Sequence, residues 1–524
     1  MSTLTLGIIV ITYMFVLAWL GYIGYVQTKK DSDYLLGGRK THPVIMALSY
    51  GATFISASAI VGFGGFAATY GMGLQWLCVL NMLVGVIIAF IFFGKRTRMM
   101  GEAHSAKTFA HLLGLHYNSR AIQVFVAAVI FIGMPLYTAV VMKGGAVFIE
   151  QIFQIDYNIA LLVFTLIVAT YVVSGGLRGV MYTDALQAVI MFISILFLLF
   201  WFYHILGMGF TEANRELGNI SNLVPERLRE LGHQGWTRMP ITGSPQWYTL
   251  VTSLILGVGI GCLAQPQLVV RFMTVESTKQ LNRGVFIGSL FIFVTVGTIY
   301  HIGPLSNLFF LKTEGVVASE AINDLDKIIP LFIDKAMPAW FGAVFMLCIL
   351  SASMSTLSSL FHTMGGAFGA DVFPKLFRNK NSKSTLGVRF GVICAILVSY
   401  IICYTLSAGI IARGTALFMG ICAATFLPTY FCSLYWKRAT GQGALASLWV
   451  GALSSLFAMV FLHRAEAAPI GLCKALFGRD VLINIYPVYA IDPILFALPL
   501  SIIAIIIVSL WTQKRAYTNK NNTI

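Results

Sequence analysis

Apolar runs of roughly 20 residues recur along the whole chain, each long enough as a helix to cross a hydrocarbon layer ~30 Å thick. The first covers residues 5–26, the last 490–513, and little separates those between. Backbone amides find no water inside a bilayer, so such runs are restricted to helices that satisfy their own hydrogen bonds. Of the 524 residues 58% are apolar and only 10% charged, more apolar surface than a soluble core can hide. The expectation is an all-α polytopic membrane protein, a single transmembrane domain over residues 1–524. It has about thirteen helices and no soluble module.

The formal charge of +15 invites a nucleic-acid reading, so the placement of the basic residues decides. With the N-terminus outside, one set of loops collects Lys29, Lys30, Arg39, Lys40, Lys95, Arg96, Arg98, Arg178, Arg271, Lys375, Arg378, Lys380, Lys383, Lys437 and Arg438. The other set is rich in acids such as Glu212, Glu226, Glu230, Glu314, Glu320, Asp324 and Asp326. Positive loops stay on the cytoplasmic side, which predicts an N-out, C-in chain and removes the need for a nucleic-acid partner. The expected partners are the lipid membrane and a small organic solute, with one copy of the chain sufficient. The first apolar run lacks a basic leader and a small-residue cleavage site, so it reads as a retained span in the plasma or inner membrane. Eight cysteines show no paired spacing, and His104, His111 and His116 fit no tetrahedral metal site. No phosphate-binding loop, Ser-His-Asp order or zinc signature is present, so neither an enzyme nor an ATP-driven pump is expected.

Two spans look interrupted. The second, near 44–70, carries Gly62, Gly64 and Gly65; the seventh, near 246–270, carries Gly257, Gly259 and Gly261 ahead of Pro266. Five helices apart, these spans run in opposite directions, as inverted repeats over about 44–206 and 246–436 would place them. Helices 5–26, 442–463 and 490–513 are then additions. The alternative is that the glycines only let helices pack closely.

The ninth span, near 336–366, is dense in hydroxyls, with six in residues 351–359. Ala352, Ser355, Thr356 and Ser359 follow the i, i+3, i+4, i+7 spacing and share one helix face, offering the neutral oxygens a hard monovalent cation takes. Taken singly, such a serine can equally bond back to its own helix. Asp184 is the main acid near an inner gate; it reads either as an ion ligand or as a helix N-cap with Gln187 as its reciprocal partner. Lys143 sits within the fourth span, as a snorkelling cation or a partner for an anionic solute.

Five stretches, in order, carry a family likeness: Ala52 to Ser58; Gly175-Gly176-Leu177 with Tyr182 to Gln187; Gln265-Pro266 with Arg271-Phe272; Ser353 to Ser359; and Ser433 through Arg438 to Gly443-Ala444. Together they resemble the sodium/solute symporter family over residues 5–513 or so. The resemblance implies a LeuT-like fold of inverted five-helix repeats and Na+ as coupling ion. It implies a sodium site at the carbonyls of Ala52, Ile55 and Ala352 and the hydroxyls of Ser355 and Thr356. A second site, present in some relatives, matches Asp184, Ser355, Ser358 and Ser359. Phe54, Val258 and Cys262 depart from the pattern of proline carriers, so a different small carboxylate-bearing solute is expected, lined by Ser56, Ser58, Gln75, Tyr137 and Gln265. The rivals are a sodium/proline symporter, a proton-coupled carrier relying on Asp184, and a solute-gated channel or sensor.

Overall fold

A computed structural model describes residues 3–26, 35–373 and 384–521; these are nearly all helical, and no strand forms among them. The helices of the membrane body are α1 (Thr3–Val26), α2 (Pro43–Phe54), α3 (Ser58–Tyr70), α4 (Met72–Ala103), α5 (Arg120–Phe153), α6 (Tyr157–Leu206), α7 (Pro245–Ala264) and α8 (Pro266–Phe272). They continue with α9 (Thr278–Glu314), α10 (Leu325–Ala336), α11 (Ala339–Val372), α12 (Ser384–Thr405), α13 (Ile411–Tyr435), α14 (Gly441–Leu462) and α15 (Ile494–Asn521). Eleven described helices are long and apolar enough to cross a membrane, and α2 with α3 forms one further pair bent by 54°.

Local chemistry sets the ends. Ser119 Oγ accepts from the Ile122 amide (3.4 Å), Ser277 Oγ from Gln280 (3.3 Å) and Thr440 Oγ1 from Gly443 (3.1 Å), each satisfying an amide the first turn leaves bare. Gly207, at φ 68°, closes α6 in the left-handed conformation that glycine adopts without strain.

The spans expected at 158–176 and 183–206 are two helices that meet at Gly176, where the backbone leaves helical geometry (φ 61°, ψ 173°), and together they are written α6. Its N-cap is Asp156, which accepts from the Asn158 amide at 2.8 Å. Asp184 therefore lies inside a helix, and the N-cap reading of Asp184 with Gln187 is overturned.

The glycine triplets are not where the helices break. Gly62, at φ −68°, is helical, and a Cβ there would strike Ile411. A Cβ on Gly64 would meet Ile329, and one on Gly65 the Leu325 carbonyl oxygen. Gly259 and Gly261 are likewise helical and press against Leu80 and the Met419 backbone. The packing alternative wins: these glycines let backbones approach. The interruptions themselves fall at Ile55 (φ −91°, ψ 101°) and at Gln265 (φ −72°, ψ 115°), the latter just before Pro266.

Burial separates a centre from a rim. In α11, 89% of the apolar window is buried, against 17% in α1 and 28% in α14 and α15, so α11 is the inner post and those three helices lie at the periphery. Two expectations about cations change. Arg271, assigned to a cytoplasmic loop, is buried on α8. Lys143 does not snorkel; it is buried, and its Nζ donates to the carbonyls of Leu406 (3.0 Å) and Ser407 (2.6 Å), closing the chain end of α12. Lys29, Lys30, Lys375, Arg378, Lys380 and Lys383 lie outside the described residues.

Candidate ion and solute site

A helix that stops inside a membrane leaves its last carbonyls without amide partners, and no water is there to serve them. α2 stops this way. The Ile55 amide takes the Gly51 carbonyl (2.9 Å), but the next two carbonyls are met from another helix: Ser355 Oγ donates to Ala52 O at 2.8 Å, and Thr356 Oγ1 to Thr53 O at 3.0 Å. The Ala59 amide bonds to Ser56 O (3.0 Å), so it does not occupy the Ile55 carbonyl. The face of α11 carrying Ala352, Ser355, Thr356 and Ser359 is thus turned onto the broken end of α2, and every one of these residues is buried.

The back-bonding alternative holds in part. Ser355 Oγ also lies 2.8 Å from Ser351 O and 3.3 Å from Ala352 O. Its single proton is shared among three acceptors, of which Ala52 O alone lies at a helix end.

One turn along, Asp184 of α6 meets Arg271 of α8. Arg271 Nη2 is 2.8 Å from Asp184 Oδ2, with side-chain exposures of 1% and 0%, so the pair is fully desolvated. Ser49 Oγ donates to the same carboxylate oxygen (2.8 Å), and Thr53 Oγ1 lies 3.4 Å from it. Arg271 Nη2 also reaches Thr53 Oγ1 (2.5 Å) and Ser359 Oγ (2.6 Å). Among the described residues the other carboxylate oxygen, Oδ1, meets only the Ser358 hydroxyl, at 3.4 Å. Ser358 and Ser359 both hydrogen-bond to Ser355 O at 3.0 Å, which links this cluster to the α2 break through one turn of α11. Gln187, freed of any capping role, donates to Tyr13 of α1 (3.1 Å).

The solute candidates divide. Ser56 and Tyr137 lie near each other, and Tyr137 stacks on Phe418 of α13 with ring centroids 5.1 Å apart. Gln265, at the α7–α8 break, sits beside Cys422, one turn along α13 from Phe418. Ser58 is fully buried and its hydroxyl has no hydrogen-bond partner among the described residues. Gln75 stands apart: its amide is committed to Gly297 O of α9 at 3.1 Å. Phe54 and Cys262 converge on Gly85 of α4, placing two of the departing positions together between the breaks. Sequence reasoning missed Ser49, Thr53 and Arg271; an arginine set in the apolar stretch Leu268 to Met273 was the available signal.

The model of the sodium:solute symporter family matches residues 34–451. A high-affinity proline transporter of Bacillus subtilis is 27% identical over 440 residues, covering 83% of this chain and 88% of the relative. A sodium/pantothenate symporter of Haemophilus influenzae is 26% identical over 452 residues, covering 85% and 87%. Among solved structures, a Na+-coupled sialic acid symporter in a substrate-bound outward-open state superposes with a TM-score of 0.72 at 16% identity, covering 97% of this chain and 98% of that one. The fold is the LeuT-like one of such symporters.

Proposed function

Because the chain belongs to the sodium:solute symporter family, we propose that it couples sodium influx to uptake of a small organic solute bearing a carboxylate. Transport rather than catalysis is the family's activity, and Na+ is its coupling ion. The observation that carries the site assignment is the meeting of Ser355 and Thr356 with the carbonyls freed at the end of α2. A sodium ion would take oxygens of Ala52, Ile55, Ala352, Ser355 and Thr356 and bridge α2 to α11. The bridge holds the two breaks in the arrangement that forms the solute pocket around Ser56, Tyr137 and Gln265. Asp184 Oδ1, with Ser355, Ser358 and Ser359, offers a second sodium position; Arg271 neutralises the other carboxylate oxygen.

Proline, pantothenate and sialic acid, the solutes named for the relatives and the structural neighbour, all carry a carboxylate, which supports that class here. Each sodium ion moved inward brings ~2.3 kcal/mol per 100 mV of membrane potential to the cycle. The cycle alternates access by moving the broken helices against the α11 post, with N-out orientation and one copy sufficient.

The test is uptake of radiolabelled L-proline, pantothenate and N-acetylneuraminate into proteoliposomes under an imposed sodium or proton gradient. Uptake of one solute driven by sodium alone is expected. Uptake driven by a proton gradient without sodium would replace this reading with proton coupling.

A further inference from the structure

A cavity of about 290 Å³ lies at the far end of α3 from the Asp184–Arg271 pair. Phe66 and Tyr70 of α3, Arg413 and Leu417 of α13, and Glu466 with its N-cap His463 on the short helix Arg464–Ile470 are among its walls. In the N-out orientation it is the outer vestibule. Leu417 of α13 lines the cavity, and the adjacent Phe418 stacks on Tyr137.

Arg413 is the notable group. Its side chain is 35% exposed, and only Nη2 is engaged, with Ala465 O at 2.8 Å and Glu466 Oε1 at 3.2 Å. Nε and Nη1 have no hydrogen-bond partner among the described residues, so two donors of a rigid fork remain unused at a cavity wall. Guanidinium forks of this kind match planar carboxylates with two parallel hydrogen bonds.

The acids of the lining keep their charge, but each already holds donors of its own. Asp324 accepts from the Gly409 and Asp326 amides, both at 3.1 Å. Glu466 is shared between Arg413 and a short contact to His463. Burial works to raise the Glu466 carboxyl, but His463 and Arg413 outweigh it and hold it below the ordinary range. Burial pushes Asp492 up to about 6, and its Oδ1 accepts from the Ile494 amide at 3.0 Å.

We infer that this vestibule is an outer docking site for the carboxylate of the arriving solute, with Arg413 as its receptor and Glu466 as the internal carboxylate that holds the guanidinium in place until then. The inference rests on the carboxylate-solute reading above. Docking exchanges one carboxylate for another on Arg413, leaves Glu466 on His463, and presents the apolar part of the solute to Phe66 and Tyr70.

Modification of Arg413 by phenylglyoxal tests this on the purified full-length protein without sodium, read by peptide mass spectrometry in the presence of millimolar L-proline, pantothenate or N-acetylneuraminate and of their uncharged amides. At least one carboxylate should slow Arg413 modification about tenfold while its amide does not, the discrimination expected of a charge-assisted two-bond contact. Glu466→Gln removes the internal competitor and should lower the concentration giving half protection. No protection by any of the three, or equal protection by the amides, overturns the docking site. Protection without sodium-driven uptake leaves the docking site standing and overturns the transport reading; uptake with Arg413 unprotected overturns the docking site alone.

Discussion

Thr356 spends its hydroxyl on a carbonyl of another helix, whereas Ser353, on the same helix, bonds back to Ile349 O at 2.9 Å. On the proposed reading, reaching across to α2 is what marks Ser355 and Thr356 as ion ligands, although Ser355 also bonds back to Ser351 O. Thr356→Ser should keep sodium-dependent solute binding, and Thr356→Ala should raise the sodium concentration for half-maximal binding about tenfold, the loss expected for one hydrogen-bonding group to a charge. A titration of binding against sodium reads it. The Asp184–Arg271 pair makes a stability prediction. Removing one partner leaves a buried charge alone, which costs ~3–5 kcal/mol, while removing both can be nearly neutral. Arg271→Gln should therefore unfold well below the wild type in detergent, and Arg271→Gln with Asp184→Asn should regain most of the loss. The hydroxyl cluster was legible because Ala352, Ser355, Thr356 and Ser359 repeat at helical spacing. Arg271 was only hinted at by its apolar neighbours Leu268 to Met273, because its partner lies 87 residues away.

At the scale of helices, the existence of two interrupted spans was readable and their location was not. Gly62, Gly64 and Gly65 drew attention as the flexible residues, yet the chain leaves the helix at Ile55, where hydroxyls of α11 replace the missing amides. That replacement is a tertiary event with no signature in residues 55–57. The seventh span was read more closely, since Pro266 marks its break one residue late. The same geometry predicts what the glycines do. Gly65→Ala drives a Cβ into the Leu325 carbonyl at the start of α10 and should lower thermal stability and transport together. Gly133→Ala, with nothing within 4 Å, should leave both unchanged. If the two variants behaved alike, close packing of α3 beneath α10 would not be a constraint.

Across the whole molecule, the central post α11 touches both proposed sodium positions, so ion and solute act on one arrangement of helices. Reciprocity then requires that solute raise sodium affinity by the factor that sodium raises solute affinity, typically ~1–3 kcal/mol. If both positions fill, sodium activation of uptake should show a Hill coefficient of about two in the wild type, falling to about one in Ser358→Ala. Membrane class and family were legible from apolar runs and ordered motifs, because both are properties of long stretches. The vestibule was not, since Arg413, His463 and Glu466 meet only when α13 and the short helix after α14 are packed together. The central claim is that sodium binds where α2 breaks against α11. Direct binding of radioactive sodium to the purified protein tests it most closely. The account predicts saturable binding in the wild type and in Ser353→Ala and its loss in Ser355→Ala; undiminished binding in Ser355→Ala, or equal loss in Ser353→Ala, would contradict it.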